Sequence, residues 1–373
     1  MTSASPRDIV AAVVRQAGGP FLLEPALLRG PKPDEVVVQL VATGLCHADI
    51  LARDQHYPAP SVPLVLGHEG AGIVVEKGSA VDHLQVGDHV VLSFAYCGAC
   101  GACESGGRGY CDHFTELNFG GSDEHGHTAI TDPAGNPLHD HFFGQSSFAT
   151  YAVVNQRYAV SVSKSVPLNI LGPLGCGVQT GAGSVLRSLD MAPGSSFAVF
   201  GAGAVGLSAL LASQLRDPRA TIVVDIVPER LELARELGAT HVIDGRSANL
   251  LEALRDLSGG GVDVALDTTG NSQVIEQGMQ ALGKRGSIGL VAGVPGGRAS
   301  FEILPFFLRG CTIRGIIEGD SIAESFIPEL LEHYEAGRFP FDKLLSFYPF
   351  EGINQAVEDA LSGKAIKPVL TIG

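Results

Sequence analysis

Four cysteines crowd into fifteen residues: Cys97, Cys100, Cys103 and Cys111. Their C-x-x-C-x-x-C-x7-C spacing offers four thiolates from one loop. That is a closed tetrahedral zinc set, structural because it leaves no position for a substrate. An iron–sulfur cluster is the competing metal reading, and a disulfide pair is a third. Cys46 lies apart in G-L-C-H-A-D, Cys176 in L-G-C-G, and His68 in G-H-E-G. Two thiolates and one imidazole leave one zinc position open, the catalytic arrangement. Spacing alone does not assemble these three, and each taken singly reads as a buried thiol or a core histidine.

A third pattern is G-x-G-x-x-G, running Gly201, Ala202, Gly203, Ala204, Val205, Gly206. The pattern is weak in a chain with 48 glycines, but its context strengthens it. An apolar strand precedes it and an apolar helix follows, so the turn can bring a pyrophosphate to free N–H groups at a helix N-terminus. Asp225 follows nineteen residues after Gly206, ending the run T-I-V-V-D. A carboxylate there accepts hydrogen bonds from ribose hydroxyls and repels a 2′-phosphate. The cofactor expected is therefore NAD, with Arg230 one helical turn on as the nearest positive group.

These motifs need two kinds of scaffold. In the first third, short β-branched runs (Glu35–Leu40, Gly70–Val75, Asp88–Leu92) alternate with glycine turns, which predicts a small β-rich domain. Residues 112–141 are polar and carry five histidines, and read as a long surface excursion or lid. From about Gly177 strands and helices alternate, with strands expected at 195–200, 221–224, 241–243, 262–266, 287–291 and 312–317. Six such strands specify a doubly wound parallel sheet. Helices at 326–336 and 353–361 and a last strand at 367–372 form a tail that returns to the first domain.

Composition narrows the function classes. The formal charge is −15, which disfavours nucleic acid and anionic membranes as partners. The charge-free stretch 191–215 is long enough to cross a bilayer, but one proline and four glycines punctuate it. It reads as strand, turn and helix. No signal-peptide core follows the N-terminus. Clustered C-x-x-C pairs in such a chain favour metal over disulfide and a cytoplasmic location.

The G-H-E-G, the four-cysteine loop, L-G-C-G-x-Q-T-G and the glycine fingerprint occur together in order. In this the chain resembles the zinc-dependent alcohol dehydrogenases of the medium-chain dehydrogenase/reductase superfamily, from about Ile9 to Leu370. The segments L-N-F-G-G (117–121) and F-F-G-Q-S-S-F (142–148) and the ending G-K-A-I-K-P-V-L look most like the bacterial aryl-alcohol branch, which includes benzyl-alcohol and geraniol dehydrogenases. The resemblance implies an α/β protein: a GroES-like catalytic domain (1–175 with 320–373), a Rossmann NAD-binding domain (176–319), and an active site in the cleft between them.

It also implies two zinc ions per chain, one catalytic on Cys46, His68 and Cys176 and one structural on Cys97, Cys100, Cys103 and Cys111. Asp49 would orient His68, and Glu69 would lie close to the metal. His47 and Lys367 would hold the pyrophosphate, while Phe119 and Phe142 would line an apolar substrate slot beside Ala48. Cys311 matches no ligand position and reads as a small buried hydrophobe. The implied reaction is reversible oxidation of a primary alcohol, by hydride transfer to nicotinamide C4, in a homodimer or homotetramer.

Two positions depart from the family pattern. Ala48 stands where a Thr or Ser hydroxyl commonly takes the substrate proton, and Leu51 where many members place a relay histidine. Two alternatives therefore stay open: a zinc-containing reductase of imines or activated double bonds, and a non-catalytic zinc- and NAD-binding protein.

Overall fold

The computed structural model describes residues 6–56 and 58–373. The chain divides into two compact units. One comprises Met1–Cys176, Ile322–Glu335 and Leu345–Gly373; the other comprises Gly177–Ser321 and Ala336–Leu344. The second unit thus takes residues 336–344, which the sequence pattern assigns to the first.

The first unit is built on two sheets. Five strands run in the order Leu64–Val65, Arg7–Val14, Phe21–Leu28, Ile130–Thr131, Pro137–Leu138. A second path runs Ala159–Val162, His89–Leu92, Gly70–Lys77, Glu35–Gly44, Lys367–Thr371, Leu345–Pro349, and Tyr151–Asn155 pairs with Glu35–Gly44. The strand Glu35–Gly44 has neighbours on both edges along its length, and eight of its ten residues are buried. Its near-continuous apolar run follows from that central place rather than from a solvent-facing side. The C-terminal strand docks antiparallel on it, Val369 opposite Gly44, so the tail returns as its sequence indicated.

Residues 112–141 are not a lid. They hold the helix Phe114–Phe119, with Asn118 and Phe119 buried. Their Ile130–Leu138 hairpin extends the five-stranded sheet. Asp140 ties the segment down, its carboxylate accepting from Ala129 N (2.6 Å) and Ile130 N (2.7 Å). A polar composition here reflects carboxylate–backbone turns, not mobility.

The second unit is a six-stranded parallel sheet. Its order is His241–Asp244, Ala220–Asp225, Ser196–Phe200, Val262–Asp267, Leu282–Leu290, Thr312–Gly315. In chain order that is 3-2-1-4-5-6, the doubly wound arrangement whose ligands bind at the carboxyl ends of the strands where the order reverses. Ser196–Phe200 and Ala220–Asp225 are buried throughout, as strands covered on both faces must be. The helix Ala204–Gln214 is buried from Gly206 to Ser213, which explains its apolar sequence. No helix among the described residues is long and apolar enough to cross a membrane.

Candidate active site

The four-cysteine loop closes on itself around the short helix Gly101–Glu104. Cys97 and Cys103 sulfurs lie 3.9 Å apart, as do those of Cys100 and Cys111. No disulfide has that length. A tetrahedron with Zn–S of about 2.3 Å has edges of about 3.8 Å, so these sulfurs frame one ion. Near-contact sulfurs leave no space for an iron–sulfur cluster. Backbone N–H groups of Cys97, Ala99 and His113 point at the Cys111 and Cys97 sulfurs (3.3–3.4 Å) and favour thiolates. N–H groups of Asp112 and Cys103 bring the Cys100 thiol down to about 6, while burial pushes Cys103 up to about 12.

Cys46, His68, Glu69 and Cys176 form a second cluster, with one ligand atom from each all within 4.8 Å of one another. Cys46 caps the N-terminus of the helix His47–Arg53. His68 and Glu69 immediately precede the strand Gly70–Lys77. Cys176 follows the turn Gly172–Gly175, which Ser93 holds through Gly175 O (2.8 Å).

Asp49, fully buried, organises the cluster. One carboxylate oxygen accepts from His68 Nδ1 (2.9 Å) and Gly67 N (3.1 Å), the other from Cys46 N (2.9 Å). The proton is therefore held on Nδ1, and Nε2 presents its lone pair. That Nε2 is buried and has no hydrogen-bond partner, a cost that a metal removes. A hydrogen bond with Cys176 holds the Cys46 thiol well below its usual range, against burial and with help from Lys367 and His68. Two thiolates and one imidazole, whose Nε2 is buried and unpartnered, fit a zinc ion.

Lys367 takes a different place from the one the family resemblance implies. Its ammonium, 2% exposed, donates to both Glu69 oxygens at 2.8 and 3.0 Å. It is an ion-pair partner beside the metal cluster rather than a free cation waiting for a phosphate. The pairing has a consequence for charge. Lys367 cancels Glu69, so two thiolates suffice to neutralise a divalent ion.

The aromatic residues around His68 also differ from expectation. Phe143 stacks on the imidazole (4.5 Å, 23°), and Phe142 meets it edge-on (5.5 Å, 80°). Phe142 has no exposed surface and belongs to the core, so it backs the site and does not line a slot. Phe119 packs on both. His47 is exposed, whereas Ala48 and Leu51 are partly buried.

In the second unit, Gly206 permits close packing, since a Cβ there would lie 1.9 Å from Gly201 O. Gly203 is different: a Cβ would meet nothing within 4 Å. No contact within the chain requires glycine there, which leaves the space above the N-terminus of Ala204–Gln214 free for a dinucleotide's pyrophosphate. Asp225 accepts from Ala202 N (2.6 Å), Ile226 N (2.7 Å) and Val227 N (2.9 Å), so it also anchors this loop. Its two oxygens keep further accepting capacity. Arg230 Nε is buried without a partner.

Two family models match the chain: an alcohol dehydrogenase GroES-like domain over residues 32–164, and a zinc-binding dehydrogenase domain over 204–335. Geraniol dehydrogenase from Castellaniella defragrans is 44% identical over 96% of both chains. The crystal structure of benzyl alcohol dehydrogenase from Acinetobacter calcoaceticus superposes with a TM-score of 0.95 at 48% identity, covering 98% of this chain and 100% of that one. An alcohol dehydrogenase zinc-binding domain protein from Burkholderia ambifaria gives 0.97 at 53%, covering 99% and 100%. The chain belongs to the zinc-dependent alcohol dehydrogenases. In this alcohol dehydrogenase the Cys46, His68, Glu69 and Cys176 cluster lies wholly within the first unit, as does the four-cysteine loop. A third cluster, Glu35, Asp123 and His141, also gathers ligand-type atoms. Arg29 and Lys32 already pair its carboxylates. Sequence reasoning missed Lys367 as the partner of Glu69 and Phe143 as the ring on His68, and neither carries a local signal.

Proposed function

We propose that this alcohol dehydrogenase oxidises primary aromatic or allylic alcohols to aldehydes, reversibly, with NAD as hydride acceptor. The observation that carries the reading is the buried, unpartnered His68 Nε2 facing Cys46 and Cys176. A zinc ion held there would supply the Lewis acidity that lowers an alcohol's pKa. The chain's own residues do the rest. Asp49 fixes the His68 tautomer, Lys367 neutralises Glu69, and phenylalanines exclude water from one side of the imidazole. Ala48 and Leu51 cannot carry the alcohol's proton, so the exposed His47 imidazole, next to Cys46 in the chain, is the side chain that would take it. The Gly201–Gly206 turn and Asp225 would hold the dinucleotide, with Arg230 the nearest positive group after Asp225 in the chain. Relatives named for geraniol and benzyl alcohol support the substrate class. The thiol-rich sites suit a reducing, cytoplasmic compartment.

A homo-oligomer is part of the proposal. Ile303, Leu304, Phe307 and Leu308 are 64–78% exposed on one short helix. That helix leads into the edge strand Thr312–Gly315. Contiguous bare apolar surface beside an edge strand is seldom left uncovered. The missing hydroxyl at position 48 favours one second reading, a reductase of imines or activated double bonds. A panel of benzylic, allylic and aliphatic alcohols, followed as NADH absorbance, decides between them. Benzylic and allylic substrates giving the highest kcat/KM supports the proposal; no oxidation at any pH, with NADH-driven reduction of imines or conjugated double bonds, supports the reductase.

A further inference from the structure

The turn that carries His68 is overlain by a segment, His141–Phe148, with an unusual backbone. His141, Phe143 and Ser146 adopt φ of 56°, 52° and 53°, and Gly144 adopts 71°. Left-handed conformations are costly for side-chain-bearing residues and persist only where the surroundings over-determine them. Here they are over-determined. Ser146 Oγ donates to Val65 O (2.7 Å) and accepts from Phe142 N (3.0 Å). Ser147 N and Phe148 N donate to Gly67 O and Leu66 O, both at 2.9 Å. Contact is so close that a Cβ on Gly67 would fall 2.4 Å from Phe148 N, and one on Gly70 2.8 Å from Ser147 Cβ. The glycines of G-H-E-G are therefore dictated by this segment.

Gln145, 2% exposed, is its most heavily committed side chain. Its Nε2 donates to His68 O (2.9 Å) and Ser93 O (3.2 Å), and its Oε1 accepts from Gly70 N (3.0 Å). The amide thus grips the peptide groups on both sides of Glu69. Only a carboxamide combines two donors with an acceptor at one terminus, and asparagine is one methylene too short to reach.

We propose that Gln145 is a positioning residue for the metal cluster. Its amide fixes the main chain at His68 and Glu69, and the strained turn it anchors sets Phe143 flat against the imidazole. His68 then carries three restraints, namely Asp49 at Nδ1, Phe143 on one face and Gln145 at its carbonyl. Nε2 is aimed at Cys46 and Cys176 before a metal arrives. The inference rests on the proposed reading of that cluster as the catalytic zinc site.

The test uses full-length protein carrying Gln145→Leu or Gln145→Glu, loaded with zinc or with cobalt(II) at the Cys46 cluster. Outer partners of metal ligands typically hold about 10–100-fold in affinity. Both variants should lose the Cys46-cluster metal to a chelator about 10–100 times more readily and shift the cobalt d–d bands, while keeping one metal per chain at the four-cysteine loop. If Gln145→Leu does not fold, Gln145→Glu, which preserves size and the acceptor for Gly70 N, decides the matter. Cobalt bands and zinc retention within twofold of wild type in folded Gln145→Glu would overturn the proposal. Neither readout needs a substrate. A wild-type protein that oxidises no alcohol would refute the functional reading and leave this test standing.

Discussion

Replacing Asp49 by asparagine leaves every candidate metal ligand in place and changes only what holds them. An amide has one accepting oxygen where the carboxylate uses two. With that oxygen toward His68 Nδ1 and Gly67 N, the new NH2 faces Cys46 N–H at a distance that was 2.9 Å for a hydrogen bond. A buried donor left without its acceptor costs about 1–3 kcal/mol. With the amide turned over, NH2 faces Gly67 N–H and His68 Nδ1 together. The imidazole could then meet it only by moving its proton to Nε2, which removes the lone pair offered to a metal. The first orientation is the less costly, so Asp49→Asn should fold with stability lower by about 1–3 kcal/mol. It should also hold zinc about 10–100-fold more weakly at the Cys46 cluster. Chelator competition and urea unfolding of the zinc-loaded protein measure the two effects. Wild-type zinc retention with an unchanged unfolding midpoint would show that Asp49 does not organise this cluster.

Three other perturbations follow from the same geometry. Lys367→Met strands the buried Glu69 carboxylate and should cost about 3–5 kcal/mol, much of it recovered by adding Glu69→Gln; equal losses in single and double variants in urea unfolding would rule out a coupled pair. Burial lowers the His141 pKa, but the Asp140 charge and hydrogen bond, with Glu35, outweigh it and the opposing Arg29, so the pKa is raised; Asp123 and Lys32 face the same cluster. A raised pKa gives stability that is full below about 6.5 and lost as pH climbs through the folded value, so His141→Gln should destabilise more at pH 6 than at pH 9, and a pH-independent loss would contradict this. NAD should exceed NADP in kcat/KM by about two orders of magnitude, since Asp225 would meet the 2′-phosphate with like charge, and equal values would mean that Asp225 serves only the Ala202 loop.

What the sequence made legible was local or periodic. The four-cysteine loop is a run of fifteen residues whose spacing alone predicts a closed site. The parallel sheet follows from alternating strands and helices, and the structure places all six in the doubly wound order. Cys46, His68 and Cys176 are too far apart for spacing to join, and only the family resemblance did so. The Lys367–Glu69 pair spans 298 residues, and nothing near a lysine on the last strand announces a carboxylate just before the strand Gly70–Lys77. Phe143 rather than Phe142 reaches the face of His68 because the turn is left-handed at a phenylalanine. No propensity rule anticipates that conformation, since local preference opposes it. Residues 112–141 looked like a lid because their turns are built from Asp123, Asp132 and Asp140, and carboxylates that serve backbone N–H groups resemble solvated ones in sequence.

The central claim is that alcohol oxidation depends on the metal held by Cys46, His68 and Cys176. Cys176→Ser tests it most directly, with zinc content, folding and NADH formation from benzyl alcohol measured on one preparation. Wild type should carry two zincs per chain and produce NADH. The variant should keep its circular dichroism spectrum and the four-cysteine zinc, lose the other, and produce no NADH. A variant that loses that zinc and still oxidises benzyl alcohol at the wild-type rate would contradict the account.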